Sequence, residues 1–381
     1  MMKGTNLLIL FLVFFLTGCY RGNTSGDGAY LLVDVADNHP KKELLLQDFM
    51  DVEYIALETS DEFLCQGMIL DIGENLILAR NNFTQDGNLY LFDRKGKGIR
   101  VINRRGQGGE EYTSAYKAVL DEKNGEFFIN DMMKKTILVY DLTGQFKRSF
   151  LCEGDFGVDD LHNFDDKYLL CAVGMRVNEG EPGKSLLALV SKQDGSIAGR
   201  FEIPYKAKKE TVFVDAENFF LYPYSPILPW EDRWILTEAS SDTVFSVSSK
   251  KQMEPFLVRT PSIQLMEPEV FLFPKMLTDR YYFMERVKKQ NGFDRTDWAY
   301  DRDEKTFYEY TLHNADYTDK QRINTTLWNH VPNGRIGYWQ VIHAHELVEA
   351  YGQGRLKGKL KEIAARLEEE SNPVILLAVD K

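Results

Sequence analysis

Only four cysteines stand in 381 residues, which excludes a disulfide-built scaffold. Proline (12) and glycine (28) are also modest, so the chain is neither fibrous nor low in complexity. Basic residues are in deficit: 46 Lys and Arg face 58 Asp and Glu, a formal net charge of −12. That deficit argues against nucleic acid as a partner, because neutralising phosphates requires a basic surface. What is present is a composition 44% hydrophobic and 13% aromatic, enough for a packed core and too much for a disordered chain. The length suggests two or three domains at roughly 150 residues each, a prior that all-β folds often break.

The apolar run Leu7–Leu16 follows the short basic start Met1–Lys3 and leads at once into Leu16-Thr17-Gly18-Cys19. About ten residues is too short for a bilayer-spanning helix, which needs about twenty, and suits the core of a signal peptide. Small residues at 17 and 18 followed by cysteine resemble the bacterial lipobox, in which the cysteine becomes a lipid-bearing thioether. We therefore expect a lipoprotein signal peptide over residues 1–18, lipidation at Cys19, and a lipid bilayer as partner through the acyl chains. Each methylene buried in the bilayer contributes about 0.8 kcal/mol, so several chains together hold firmly. Removing the signal takes away one Lys and leaves a formal charge of −13. Residues 19–28 read as a flexible polar tether, ahead of one folded domain over 29–381. Cys65, Cys152 and Cys171 remain. At most one pair of them can bond, and three buried thiols acting as small hydrophobes are the plainer expectation.

The middle of the chain repeats. Asn88–Ile102 contains an apolar strand ending at Asp93, Gly three positions on at 96, and a second strand of alternating basic and apolar residues. Thr136–Phe150 has the same plan around Asp141 and Gly144. Asp at the first turn position accepts hydrogen bonds from the backbone ahead, while Gly supplies the left-handed geometry of a short hairpin. Weaker copies run through Asp194-Gly195, through Thr243–Gln252, and at Thr306–Tyr310. A short strand precedes each hairpin: Asn75–Arg80, Glu126–Asn130, Lys167–Val173, Arg233–Thr237, Arg280–Glu285 and Ile336–Ile342. Spacings near fifty residues made of short strands predict an all-β fold, a six-bladed β-propeller. Val52–Glu58 is a lone alternating strand near the start and Asn372–Asp380 a lone strand at the end, and pairing them would close the ring without an open edge. Between Glu346 and Glu370, apolar residues recur at helical spacing, which predicts a short helical insertion in the last blade that Asn372-Pro373 stops.

These features resemble the six-bladed β-propeller lipoproteins of Bacteroidetes, an NHL-like family of unknown function. The likeness is carried by Tyr54-Ile-Ala-Leu-Glu-Thr59, Phe92-Asp-Arg-Lys-Gly96, Arg105-Gly-Gln-Gly-Gly-Glu-Glu-Tyr112 and the ending Asn372–Lys381. In the third place the family pattern has Pro and Gly where this chain has Gly109 and Glu110, which leaves Arg105, Glu111 and Tyr112 in register. The resemblance implies a fold and an envelope address but no settled activity. Surface-export signals in such lipoproteins are usually acidic just after the cysteine, whereas here Arg21 follows. A periplasm-facing place in the outer membrane is thus the first expectation, with cell-surface display left open.

The glycines at 106, 108 and 109 lack the helix that a phosphate-binding loop requires. They suit a crossing between blades, where Arg105, Glu111 and Tyr112 either order the loop or meet a ligand at the channel mouth. Phe219–Trp230 is the most aromatic stretch, and Pro223, Pro226 and Pro229 forbid a regular central strand there. Tyr222, Tyr224 and Trp230 are candidates to stack on sugar rings or grip a peptide; the alternative is a plug packed over the blade edge. His343-Ala-His345-Glu346 lacks a third ligand, and no calcium-loop pattern accompanies the acidic pairs, so no metal and no cofactor are expected. No nucleophile signature is found. The expected function is a membrane-anchored binding module for a glycan, peptide or envelope protein. The rivals are a propeller lyase or hydrolase with its site at the channel mouth, possibly using a metal, and a purely structural scaffold.

Overall fold

The computed structural model describes residues 30–81, 86–151, 157–174, 177–214, 219–323 and 336–381. Cys19 and Cys152, with the whole of 1–29, lie outside the described residues. The amino-terminal stretch supplies β1 (Leu31–Asp34), β2 (Lys41–Leu45), one helical turn α1 (Leu46–Phe49) and β3 (Met50–Ala56). Blade 1 is β4 (Met68–Ile72), β5 (Leu76–Arg80), β6 (Asn88–Asp93) and β7 (Gly98–Asn103). Blade 2 is β8 (Lys117–Asp121), β9 (Glu126–Asp131), β10 (Thr136–Asp141) and β11 (Phe146–Leu151). Blade 3 is β12 (Val158–Asn163), β13 (Tyr168–Val173), β14 (Gly183–Ser191) and β15 (Ile197–Tyr205). A separate two-stranded ribbon follows, β16 (Val212–Val214) and β17 (Phe219–Leu221). Blade 4 is β18 (Ile227–Trp230), β19 (Arg233–Leu236), β20 (Thr243–Ser248) and β21 (Met253–Thr260). Blade 5 is β22 (Val270–Leu277), β23 (Tyr281–Lys288), β24 (Asp294–Asp301) and β25 (Thr306–Asn314), with the short β26 (Gln321–Arg322) beside β25. Blade 6 holds β27 (Ile336–Ile342), then the helices α2 (Ala344–Gly352) and α3 (Gly358–Ala364), then β28 (Val374–Asp380). The fold is a six-bladed β-propeller with a helical insertion in its last blade.

The ring closes as the lone strands imply. β3 lies antiparallel against β28 over seven residue pairs, from Ala56 opposite Val374 to Met50 opposite Asp380. The amino terminus also covers two more edges that the sequence pattern does not show. β1 pairs in parallel with β21, and β2 with β25, so the outer strands of blades 4 and 5 are not left open.

The Asp-x-x-Gly hairpins serve both turn and ring. Asp93 Oδ1 accepts the amides of Lys95 and Lys97 at 2.8 and 2.9 Å, and Asp141 Oδ1 those of Thr143 and Gln145 at 2.9 and 3.0 Å. Gly96 and Gly144 both take φ +84°, a region that favours glycine. Each of these glycines also presses on the outer strand of the preceding blade. A Cβ on Gly96 would lie 2.0 Å from the Ala56 carbonyl oxygen, and one on Gly144 2.8 Å from Ile102 Cγ2.

Alternation explains the core. Ile77 and Ala79 of β5 join the cluster shared with blade 6, while Leu78 joins the one shared with blade 2. Every blade is thus apolar on both faces, and six such clusters fill the six seams.

The short strands read before the hairpins are the second strands of the first five blades, with the innermost β4, β8, β12, β18 and β22 ahead of them. One expectation needs correction. Thr306–Tyr310 is the outermost strand of blade 5 rather than the first strand of a hairpin, since Asp301 of β24 pairs with Thr306. Pro229 lies within innermost β18, which has a single neighbour, so its missing amide costs no ladder bond.

The topology gives the ring two distinct faces. Crossings between blades and the loops joining second to third strands share one, which we term the crossing face. The tight turns after the first and third strands share the other, the turn face.

Candidate functional site

The described exposed large apolar side chains gather on the crossing face. Leu64, Met68, Tyr116, Met133, Leu151 and Leu265 lie there, together with the ribbon β16–β17. Tyr30 and Ile99, at the outer edges of blades, are placed elsewhere.

On the same face, a cleft of about 500 Å³ opens where the ring closes, between blades 6 and 1. One wall is the crossing from β3 to β4, with Leu64, Cys65 and Gln66; the other is the helical insertion, with His343–His345 at its start and Glu369–Pro373 at its end. Asn81, just after β5, completes it.

Hydrogen bonds fix these walls. Asn372, buried beside the cleft, accepts the Cys65 amide at 2.8 Å and donates to the Glu58 and Phe63 carbonyls at 2.6 and 2.7 Å. Asn81 accepts the Gln66 amide at 2.8 Å and donates to Asp86 Oδ2 at 2.5 Å. The His343 and His345 rings stack side by side with centroids 5.7 Å apart, and both side chains are exposed beside Glu369 and Glu370. Burial pushes the Cys65 thiol up to about 12, so it is held as an unreactive thiol. Cys65 and Cys171 are both buried. Among the described residues, no three His, Cys, Asp or Glu side chains converge as a metal-ligand set.

The residues singled out from sequence fall in three places. Arg105, Glu111 and Tyr112 share the crossing from blade 1 to blade 2, where Arg105 and Tyr112 form a parallel bridge. Arg105 is exposed, whereas Tyr112 is buried with its hydroxyl donating to the Gly87 carbonyl at 2.6 Å. Glu111 accepts the Gly108 amide at 2.8 Å, and Lys134 donates to the Gly108 and Glu111 carbonyls at 2.8 and 2.6 Å. Tyr222 and Tyr224 both stack on Phe273, at 5.6 and 4.7 Å between centroids. Trp230 is at the far end of β18, toward the turn face, packed on Phe256 and Tyr282. The structure therefore does not bring Trp230 together with the two tyrosines. The cleft residues Gln66, Asn81, Glu369, Glu370 and Ser371 escaped sequence reasoning; the adjacent His343-Ala-His345 and Asn372-Pro373 were the available signal.

The family described as a domain of unknown function, DUF4934, matches residues 32–379. The chain belongs to that family. Among solved structures, the "Putative exported protein" of Bacteroides fragilis aligns over 92% of this chain and 99% of its own, at 14% identity and a TM-score of 0.58. A member of the DUF4221 family from Bacteroides vulgatus aligns over 88% and 99%, at 8% identity and a TM-score of 0.47. At 14% identity, the likeness to the first speaks for the fold alone. No curated protein matches this sequence. No described helix of the DUF4934 chain is long and apolar enough to cross a membrane.

Other strongly perturbed titratable groups of this DUF4934 propeller lie away from the cleft. Glu285 of β23 receives the Tyr222 hydroxyl and contacts the Lys275 ammonium. Burial pushes the Glu285 carboxyl up to about 8 and the Lys275 ammonium down to about 8. All three side chains are covered, so the set ties the segment after the ribbon to blade 5. Asp71 of β4 is likewise buried; burial pushes its carboxyl up to about 7, against the pull of the Leu120 and Ile72 amides it accepts.

Proposed function

We propose that the protein is a noncatalytic binding module, anchored by an acylated Cys19 to the outer membrane and facing the periplasm. Its cleft between blades 6 and 1 takes a hydrophilic ligand, a glycan or a peptide segment such as an envelope protein would present. The cleft carries the proposal: amides, imidazoles, a hydroxyl and carboxylates line an open site of ligand size, on loops already fixed by their own hydrogen bonds. Such convergence of polar groups on a rigid frame is what orients a ligand. The high Cys65 thiol supports binding over nucleophilic chemistry.

The test is a thermal-shift screen of the mature chain against glycans and peptides, repeated with His345→Ala and Glu370→Gln. A ligand at a hundred times its Kd stabilises by about 2.7 kcal/mol, an easily read shift. Both variants alter exposed side chains, so the unliganded melting temperature should stay put while affinity falls about tenfold or more. Unchanged affinity in both variants would remove the cleft from consideration, and mass spectrometry showing a cleaved ligand would favour a lyase or hydrolase.

A further inference from the structure

Between blades 3 and 4 the chain leaves the ring as the ribbon β16–β17, with Val212 opposite Leu221, Phe213 opposite Phe220 and Val214 opposite Phe219. Alternate residues of a strand point to opposite faces, so this ribbon is apolar on both. Phe213 and Phe220 turn inward, Phe213 toward Phe293 and Phe220 toward Gly292. Val212, Val214, Phe219 and Leu221 share the outward face, and the last three are 66%, 68% and 62% exposed. A sheet face turned to water ordinarily carries polar residues. This one carries none at its described positions.

The exposure is built in. Tyr222, directly after β17, is tied to Glu285. At the base of the ribbon, Lys209 and Lys289 both pair with Glu269, at 2.9 and 3.3 Å, and Lys289 donates to the Glu210 carbonyl at 3.1 Å. The apolar face is therefore held outward by a fixed platform.

What covers it follows from the chain that precedes the ring. Ten residues, 20–29, separate Cys19 from Tyr30, and they reach at most about 36 Å when extended. The chain then enters the ring as β1 on the outer edge of blade 4, one of the two blades that flank the ribbon. Four side chains are too few for a stable protein interface, which needs about 800 Å² from each partner. They are enough to add to an acyl anchor, which works best with a second membrane contact.

We infer that the outward face of the ribbon rests in the boundary between headgroups and acyl chains of the bilayer that holds Cys19. This rests on the lipidation reading given above. The mature charge of −13 fits a zwitterionic surface, since basic segments are what anionic lipids attract. The ribbon's seam lies across the six-bladed ring from the seam between blades 6 and 1. Contact through the ribbon therefore leaves the cleft, on the opposite side of the crossing face, uncovered.

The test uses the acylated mature protein reconstituted in phosphatidylcholine vesicles, with an environment-sensitive dye on Phe219→Cys and, separately, on Lys95→Cys of the turn face. The dye at 219 should shift to the blue, be quenched by nitroxide-labelled lipid, and lose at least half its quenching by aqueous iodide; the dye at 95 should do none of these. A chain carrying Cys19→Ala should partition onto these vesicles weakly, and adding Phe219→Glu with Leu221→Glu should lower that partition at least tenfold without moving its melting temperature. If iodide quenches the dye at 219 equally with and without vesicles, the inference is overturned while the anchor stands. Protection from iodide without quenching by the labelled lipid would instead show a protein on the ribbon and overturns it too. The mass of the mature chain reports acylation of Cys19 independently, and a mass without acyl chains sinks the lipidation reading itself.

Discussion

Replacing Asn372 by alanine tests the frame of the cleft where one side chain joins its two walls. Its side chain accepts one amide and donates to two carbonyls across more than 300 residues of sequence. Alanine leaves the buried Cys65 amide without its partner, while the Phe63 carbonyl keeps the Ser60 amide at 3.4 Å and Glu58 is exposed so that water can replace the lost bond. An orphaned buried group costs about 1–3 kcal/mol, so Asn372→Ala should destabilise the protein by about 2 kcal/mol. Asn372→Asp sharpens the test. It keeps the acceptor for Cys65 but sets a carboxylate oxygen against two carbonyl oxygens, so it should cost more than alanine at pH 7 and recover part of the loss near pH 4, where the acid can donate. Urea unfolding followed by circular dichroism gives both values from the shift of the midpoint at constant slope. An alanine variant within 0.5 kcal/mol of the parent, or an aspartate variant no worse than alanine at pH 7, would refute the reasoning.

Glycines with the same sign of φ should differ sharply according to what they face. Gly125→Ala, at φ +66° with open space around it, should cost about 1 kcal/mol, whereas Gly96→Ala meets the Ala56 carbonyl at 2.0 Å and should cost about 3 kcal/mol or more; equal costs in urea unfolding would show that the turn does not press on blade 6. Asp71 predicts a pH slope. Its folded carboxyl is raised from 3.8 to about 7, so the stability it contributes is present below about pH 4 and is lost as pH rises through 7, by at most about 4 kcal/mol. Asp71→Asn should be less stable than the parent at pH 4, because both oxygens of the carboxyl group accept amides and an amide nitrogen cannot, and should lose less between pH 4 and 8; parallel profiles would discard the assignment.

The ring was legible wherever local chemistry repeats. Asp93 with Gly96 and Asp141 with Gly144 announce their turns because one side chain and one φ decide each. The closing pair was legible because β3 alternates, β28 is a continuous apolar run, and each stands alone at one end of the repeat. The innermost strands were obscure for a physical reason. β22 carries Pro274 and Lys275 in mid-strand, and β18 carries Pro229. An edge strand beside the channel tolerates both, since half its ladder is unused. The parallel strands β1 and β2 pair with segments more than 200 residues away, and nothing in four or five residues encodes such a partner. The cleft was dispersed in the same way. Its lining comes from around 65, 81, 344 and 371, four stretches that only ring closure brings together.

That dependence gives the cleft an energetic character. One wall belongs to the crossing that follows β3 and the other to the insertion that precedes β28, and these two strands form the seven-pair seam holding the ring shut. Asn372 ties the walls directly. A ligand spanning Gln66 and Glu370 therefore bridges the two ends of the fold, and its binding energy opposes opening of the seam. Because the amino-terminal segment also covers the outer edges of blades 4 and 5 through β1 and β2, opening the seam at β3 frees more than one blade. Binding at this site is thus coupled to the cooperative unfolding of the ring rather than to a local loop, which is why a melting temperature can report on it.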